Sequence, residues 1–418
     1  MDRKILESIQ KTAFQYFQDF TNLDEFSLGF GLTADHNMKT EVASIAATGF
    51  MLSSYIIGIE YGYIEREKAR SIVEKTLHTL AYHVDHKFGF FAHFLDIKTG
   101  QRHKLCEYST IDTALALNGV IAVDAYFNDL EISKLSGVIF NRIEWDRLVH
   151  VKRKKKMLYM SYNPDKGGDY TEGHPGFIFQ WDMLAEQLMM YVMIAGGTNI
   201  NDAIELYKGF DRIEGKYDKY QYYYSPGNAL FVYQFPLAWL DLEHSVDTDG
   251  ISWFENAKKA TLAHRALSIS LHDQFKTFSN DFWGFSAADT PRGYRVFGGL
   301  PNAKNIVHTD GSVSPFSAIG SLPMTPIESM SAIEAMLQIP NLYDEKYGFK
   351  DSFNFEGEHP WISQKHIAIN KGLEMLMANA VLTKDVMKVY MSHPIIQKGM
   401  GVLKWEKNIL KTDNKKVR

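Results

Sequence analysis

Helical periodicity governs this chain, and long aromatic loops interrupt it on a regular beat. Apolar residues recur at three- and four-residue spacing across 3–20, 40–60, 65–84, 109–127, 177–195, 251–272, 326–338, 363–379 and 383–392, the pattern of helices with one buried face. Shorter helices are expected at 130–143, 200–209, 234–243 and 313–322. Strand-like alternation is confined to Phe88 to Leu95, Leu158 to Tyr162 and Tyr222 to Tyr224. The intervening segments 21–39, 85–107, 144–176, 210–233, 273–312 and 340–362 are rich in Gly, Tyr, His and Asp. Loops of such length are uncommon unless they carry function, and these recur at intervals of roughly 45 to 70 residues. The reading is an all-α fold of roughly twelve or thirteen helices. Its expected architecture is an (α/α)6 barrel: helix hairpins in a ring, apolar inner helices, and long loops converging on one face as a cleft. Residues 1–410 form this one domain, and 411–418 read as a frayed tail.

Composition narrows the partners. A net charge of −5 gives no footprint for nucleic acid. The basic run Lys152-Arg153-Lys154-Lys155-Lys156 reads as a solvated loop. Val42 to Ile59 is uncharged for 18 residues, near the lower limit for a membrane span. It carries Ser44, Thr48, Gly49, Ser53 and Ser54 and has no basic flank, so it reads as a buried helix and no membrane partner is expected. Cys106 is the one cysteine, which excludes an internal disulfide framework; it reads as a buried small hydrophobe. Together with an immediate helical start and no basic-then-apolar leader, it gives the expectation of a cytoplasmic protein. His83, His86 and His93 match no zinc spacing, and no phosphate loop, dinucleotide fingerprint or nucleophile elbow occurs. No metal and no cofactor are expected.

The chemistry concentrates in acids beside aromatics. Glu107-Tyr108-Ser109-Thr110-Ile111-Asp112 opens a helix that is charge-free from Ala114 to Phe127 except for Asp124. A charged cluster at the mouth of a buried helix is expensive unless paired or used. S-T-I-D also approximates a capping box, with Ser109 as N-cap, so Asp112 reads either as a cap or as a site residue. Asp182 and Glu186 follow Trp181 and are expected four apart on one helix face, where like charges repel. The apolar run Leu188 to Ala195 marks that helix as buried and makes Glu186 a candidate general acid; an exposed acidic first turn is the alternative. Asp351 lies between Phe349 and Phe353, as a base or as a turn residue. Trp181, Trp239, Trp283, Tyr294 and Trp361 fall in or beside the long loops, either as stacking platforms for sugar rings or as ordinary anchors. Acids and aromatics in one pocket are the equipment of glycoside cleavage.

These segments resemble the bacterial glucoamylase-like superfamily of (α/α)6 barrels, which includes the endo-β-1,2-glucanases of glycoside hydrolase family 144. The resemblance runs along nearly the whole chain, through Gly31-Leu32-Thr33-Ala34-Asp35, Ser44 to Phe50, Gly89 to Phe94, Glu107 to Ala114, Trp181 to Glu186, Trp283 to Ala287, Asp310 to Pro315 and Gly348 to Asn354. It implies a hydrolase of β-1,2-linked glucan or its oligosaccharides, using a carboxylate acid and no metal. By motif, Glu186 resembles the acid and Asp351 the base, or the end of a proton relay through substrate. Asp112, Glu107 and Asp35 resemble acids lining the cleft, with His93, Trp181, Trp239, Trp283 and Tyr294 expected as substrate contacts. Transglycosylation, another glycan on the same barrel, and a non-catalytic carbohydrate-binding barrel remain open alternatives.

Overall fold

Four segments are buried around nearly their whole circumference, three of them almost wholly apolar and the fourth burying a Lys371–Glu374 ion pair, and such helices must be covered on every side. The computed structural model describes residues 2–152, 154–165, 171, 173–197, 200–299 and 307–407, and these four segments form its buried centre. In chain order the helices are α1 (Arg3–Phe20), α2 (Ile45–Glu60), α3 (Arg66–Tyr82), α4 (Thr110–Phe127), α5 (Leu130–Asn141), α6 (Leu188–Gly197), α7 (Ile200–Gly209), α8 (Phe231–Gln234), α9 (Trp253–Ser270), α10 (Pro315–Ile319), α11 (Pro326–Met336), α12 (Ala368–Leu382), α13 (Asp385–Ser392) and α14 (Pro394–Val402). The all-round buried ones are α2, α4, α6 and α12. The short α10 is buried too, and most of the others bury one stripe, as α1 does through Leu6, Ile9, Ala13, Phe14 and Phe17. Helix α1 packs on α12, α2 on α4, α3 on α5, and α6 on α14. The fold is helix-rich, as the periodicity requires.

The crossing of α2 and α4 depends on two glycines. A Cβ on Gly119 would meet the Gly49 carbonyl oxygen at 2.1 Å, and one on Gly49 would meet the Leu115 oxygen at 2.3 Å. Both obstacles are backbone, so neither can swing away. Ala is a better helix former than Gly by about 1 kcal/mol, but overpacking a core costs about 1–3 kcal/mol and more when nothing yields. Gly119→Ala is therefore expected to destabilise the protein, read as a lower urea midpoint at unchanged m-value.

Several boundaries depart from the periodicity. Residues 177–195 are not one helix: Phe177–Gln180 is a strand, a turn follows, and α6 starts at Leu188. Phe177–Gln180 and Tyr108–Ser109 each pair antiparallel with the strand Lys155–Tyr162, which aligns Ser109, Ser161 and Ile178 in one row. Pairing with distant strands overrides the helical pattern there. The basic run is a hairpin rather than a free loop: Val149–Lys152 pairs with Lys155–Tyr162, while Lys155 and Lys156 form ion pairs with Asp211 and Glu205. Arg153 and the tail 411–418 lie outside the described residues. No helix among the described residues is long and apolar enough to cross a membrane.

Candidate active site

All four central helices begin at one cavity of about 630 Å³. Ser44 caps α2 there, Ser109 caps α4, Glu186 precedes α6, and Ile367 and Ile369 bracket the start of α12. Helix N-termini carry positive partial charge, and the cavity wall is correspondingly rich in acids: Asp35, Glu107, Asp112 and Glu186. His93, Trp181 and Tyr294 also line it. Of the ten residues the sequence singled out, these seven come together.

Asp112 turns out to be held by the cap itself. The Asp112 N–H donates to Ser109 Oγ at 3.2 Å, and the Ser109 hydroxyl donates to Asp112 Oδ2 at 2.6 Å. Its other oxygen, Oδ1, faces His93 Nε2 at 3.6 Å. The opposite ring nitrogen of His93, Nδ1, lies 2.7 Å from Glu107 Oε1, and the ring stacks on Phe94 at 3.9 Å. Burial alone would depress the imidazole, but Asp112, Glu107 and Asp35 together outweigh it and lift its pKa to about 9. His93 is thus a cation at neutral pH, bridging two carboxylates. Asp112→Asn keeps an acceptor for Ser109 and leaves the cap intact, so stability should change little. It removes the negative charge that favours protonation of His93 and Glu186, so both should titrate at lower pH; an NMR titration of the His93 ring checks this.

Glu186 stands in a turn locked by its neighbour. Gln187, fully buried, accepts the Ala185 N–H at 2.8 Å and donates to the Met183 carbonyl at 2.7 Å. Burial first, then the charge of Asp112, pushes the Glu186 carboxyl up to about 7, against a hydrogen bond from its own N–H. Asp182 plays no part in this: with no helix at 182–186 the two acids share no face, and Asp182 is exposed. Trp181, 6% exposed, is fixed by its indole N–H to Thr110 Oγ1 at 3.0 Å.

Asp351 sits behind the wall, not in it. Asp351 is 3% exposed and accepts from the Asp289 N–H at 2.6 Å and from the Asn370 amide at 2.7 Å. Burial dominates those bonds and, aided by Asp289 and Glu374, raises its pKa to about 7. The phenol of Tyr294 is raised too, by burial and by the charges of Asp351, Asp35 and Asp112. Tyr294 lines the cavity, about half exposed, within electrostatic reach of Asp351, Asp35 and Asp112. Burial, with Asp112 contributing, likewise raises the Asp35 carboxyl, against the pull of His36, His93 and Lys365.

Trp239 and Trp283 do not reach the cavity. Both are fully buried. Trp239 donates its indole N–H to Ser53 Oγ at 3.0 Å and packs on Phe50 at 4.7 Å. Trp283 belongs to a long loop that folds down onto the helices and Trp239 closes a short helical turn, and both rings become core. Cys106 is half-buried, its thiol bonded to the Phe94 backbone. The sequence reading missed Lys365, which lines the cavity and is paired with Asp289 at 2.8 Å. The signal was present: Asp112 stands in the first turn of a largely buried helix, and Lys365 lies just before another. It also missed His36, a cavity residue, and Gln187, which carries no recognisable motif. Among the described residues no group of three or more His, Cys, Asp or Glu is placed to hold a metal ion.

The Glycoamylase family model, which describes glucoamylase-like proteins, matches residues 178–394, just over half of the chain. The chain belongs to this family. The matched region contains Glu186, Tyr294, Asp351 and Lys365, whereas Asp35, His93, Glu107 and Asp112 reach the cavity from the N-terminal part. Among characterised relatives, an exo β-1,2-glucooligosaccharide sophorohydrolase (non-reducing end) of Parabacteroides distasonis is 24% identical over 96% of this chain. The chain spans 57% of that relative's length. Among solved structures, the endo-β-1,2-glucanase of Chitinophaga pinensis, described with sophorotriose and glucose, aligns at TM-score 0.82 and 21% identity over 97% of this chain and 99% of its own. A β-1,2-glucanase of Parabacteroides distasonis aligns at TM-score 0.80 and 22% identity, covering 96% of this chain and 60% of its own. These structural matches establish a shared fold for the family member described here.

Proposed function

We propose that this protein is a glycoside hydrolase that cleaves β-1,2-linked gluco-oligosaccharides. The observation that carries the reading is Glu186: a carboxyl held near pKa 7 by burial, in a rigid turn, facing a cavity of about 630 Å³. A general acid is most effective when its pKa lies near the working pH. The names of its relatives support the β-1,2 linkage, and the family and fold neighbours support closure of the helices into an (α/α)6 ring.

In this reading Glu186 gives its proton to the glycosidic oxygen as the C1–O bond breaks. A water molecule adds its oxygen to C1, and its proton ends on Asp351. Because Asp351 lies behind the wall, that proton travels through an intervening hydroxyl, for which Tyr294 or a substrate hydroxyl is suited. His93, with Glu107 and Asp112, fixes the charge pattern of the wall. The lone Cys106 supports a reducing, cytoplasmic setting, which cell fractionation tests.

The decisive experiment offers β-1,2-, β-1,3-, β-1,4- and α-1,4-linked gluco-oligosaccharides separately and separates the products by chromatography. Cleavage confined to the β-1,2 series is expected. Preference for the α-1,4 series would overturn the assignment, and longer products in the presence of an acceptor sugar would make the enzyme a transglycosylase.

A further inference from the structure

A second cavity of about 590 Å³ has no part in the chemistry above. Phe275, Pro291, Arg292, Asn354, His359 and Trp361 are among its lining residues. Two chain segments bound both cavities. The first is the turn after Ala287–Ala288, closed by Thr290 Oγ1 donating to the Gly293 carbonyl at 2.8 Å. Arg292 on that turn lines the second cavity and Tyr294 the first. Two residues apart, their Cα atoms are separated by about 7 Å at most. The second segment runs from Asp351 to Lys365: Asn354 and Trp361, register partners, line the second cavity, and Lys365 lines the first.

The chemistry of the second cavity is that of a neutral, polyhydroxylated ligand. Its acids are already occupied: Glu356 accepts from the Lys276 and Thr277 N–H groups and the Thr277 hydroxyl, and Asp310 accepts the Ser312 N–H. What faces the space is a half-buried indole edged by guanidinium, imidazole and amide. An apolar ring face with a few convergent polar groups is the usual form of a small-ligand site. Mixed charge gives no preference for an anion.

We propose that this second cavity is a distal glucosyl-binding region, occupied by the part of a glucan chain that extends past the Thr290–Gly293 turn from the catalytic cavity. Trp361 is its stacking platform and Arg292 its hydrogen-bonding edge. The proposal rests on the reading of the first cavity as a β-1,2-glucan site.

The test compares wild type, Trp361→Ala, Trp361→Phe and Arg292→Ala on purified β-1,2-gluco-oligosaccharides of increasing length, with melting temperatures to confirm folding. For wild type, kcat/KM should rise with length until the second cavity is filled. Trp361→Ala should lose about tenfold on the long members and nothing on the shortest, with Trp361→Phe recovering much of the loss. A loss equal at all lengths, or no dependence on length in wild type, would overturn the proposal. If wild type cleaves no member of the series, the assigned reaction fails, and the cavity is then tested by calorimetry with laminari-, cello- and malto-oligosaccharides. Length-dependent binding weakened by Trp361→Ala would sustain the second site, and equal binding by both proteins would remove it.

Discussion

Glu186→Gln is expected to lower turnover by about 10²–10⁴-fold, the usual contribution of general acid catalysis. Gln keeps the shape and the place beside Asp112 but holds no transferable proton. Binding of the oligosaccharide should survive, so the loss belongs to kcat rather than KM. Stability supplies an independent check. The folded-state pKa of Glu186 is raised, from 4.5 to about 7, so the folded protein holds this proton more tightly than the unfolded chain does. That stabilisation is complete below the unfolded value and is lost as pH rises through about 7. The variant escapes this loss, so at about pH 8 it should be more stable than wild type by on the order of 3 kcal/mol. An inactive protein that is more stable in alkali fits a functional strain; an active one, or one that unfolds, returns Glu186 to a structural role.

Asp351→Asn is expected to reduce turnover comparably, with a different signature. Asp351 accepts from two donors, the Asp289 N–H and the Asn370 amide. An Asn side chain offers only one oxygen, so one donor is left facing an NH2 group, at a cost of about 1–3 kcal/mol. Below neutral pH, where Glu186→Gln should match wild type, this variant should therefore be less stable, because even a protonated carboxyl keeps a second oxygen able to accept and an NH2 group does not. Since both carboxyls titrate near 7, the pH–rate profile should be a narrow bell around neutrality, with limbs that belong to the pair. Glu186→Gln should abolish the alkaline limb of the residual activity and Asp351→Asn the acidic limb. A wild-type profile flat from about pH 5 to 9 would contradict both assignments.

The helix-rich character was readable because 3.6-residue periodicity survives wherever a helix buries one stripe, and uninterrupted apolar runs marked α4 and α6. What failed was local pattern overruled by distant pairing: residues 177–180 became a strand because Lys155–Tyr162 offered it hydrogen bonds. The same failure misread the relation of Asp182 to Glu186 while leaving Glu186 in the cavity, since the apolar run after it, not the spacing before it, reported burial. The acids were recognisable as charges opening buried helices. The tryptophans were not, because a ring in or beside a long loop looks the same in sequence whether it turns inward, like Trp239, or toward a cavity, like Trp181. Asp112 could not be divided between cap and site because Ser109 makes it both.

Four buried helices all begin at the acid-lined cavity, which gives the molecule a cavity end and a far end. At the far end α2 turns into α3 through Tyr61 to Glu65, where a Cβ on Gly62 would meet nothing within 4 Å. A reporter or tether inserted there would be carried at the far end of α2, a helix of 16 residues, or about 24 Å of rise from the cavity wall. The protein is in that sense ready to be attached to a surface, or fused to a partner, with that cavity facing outward.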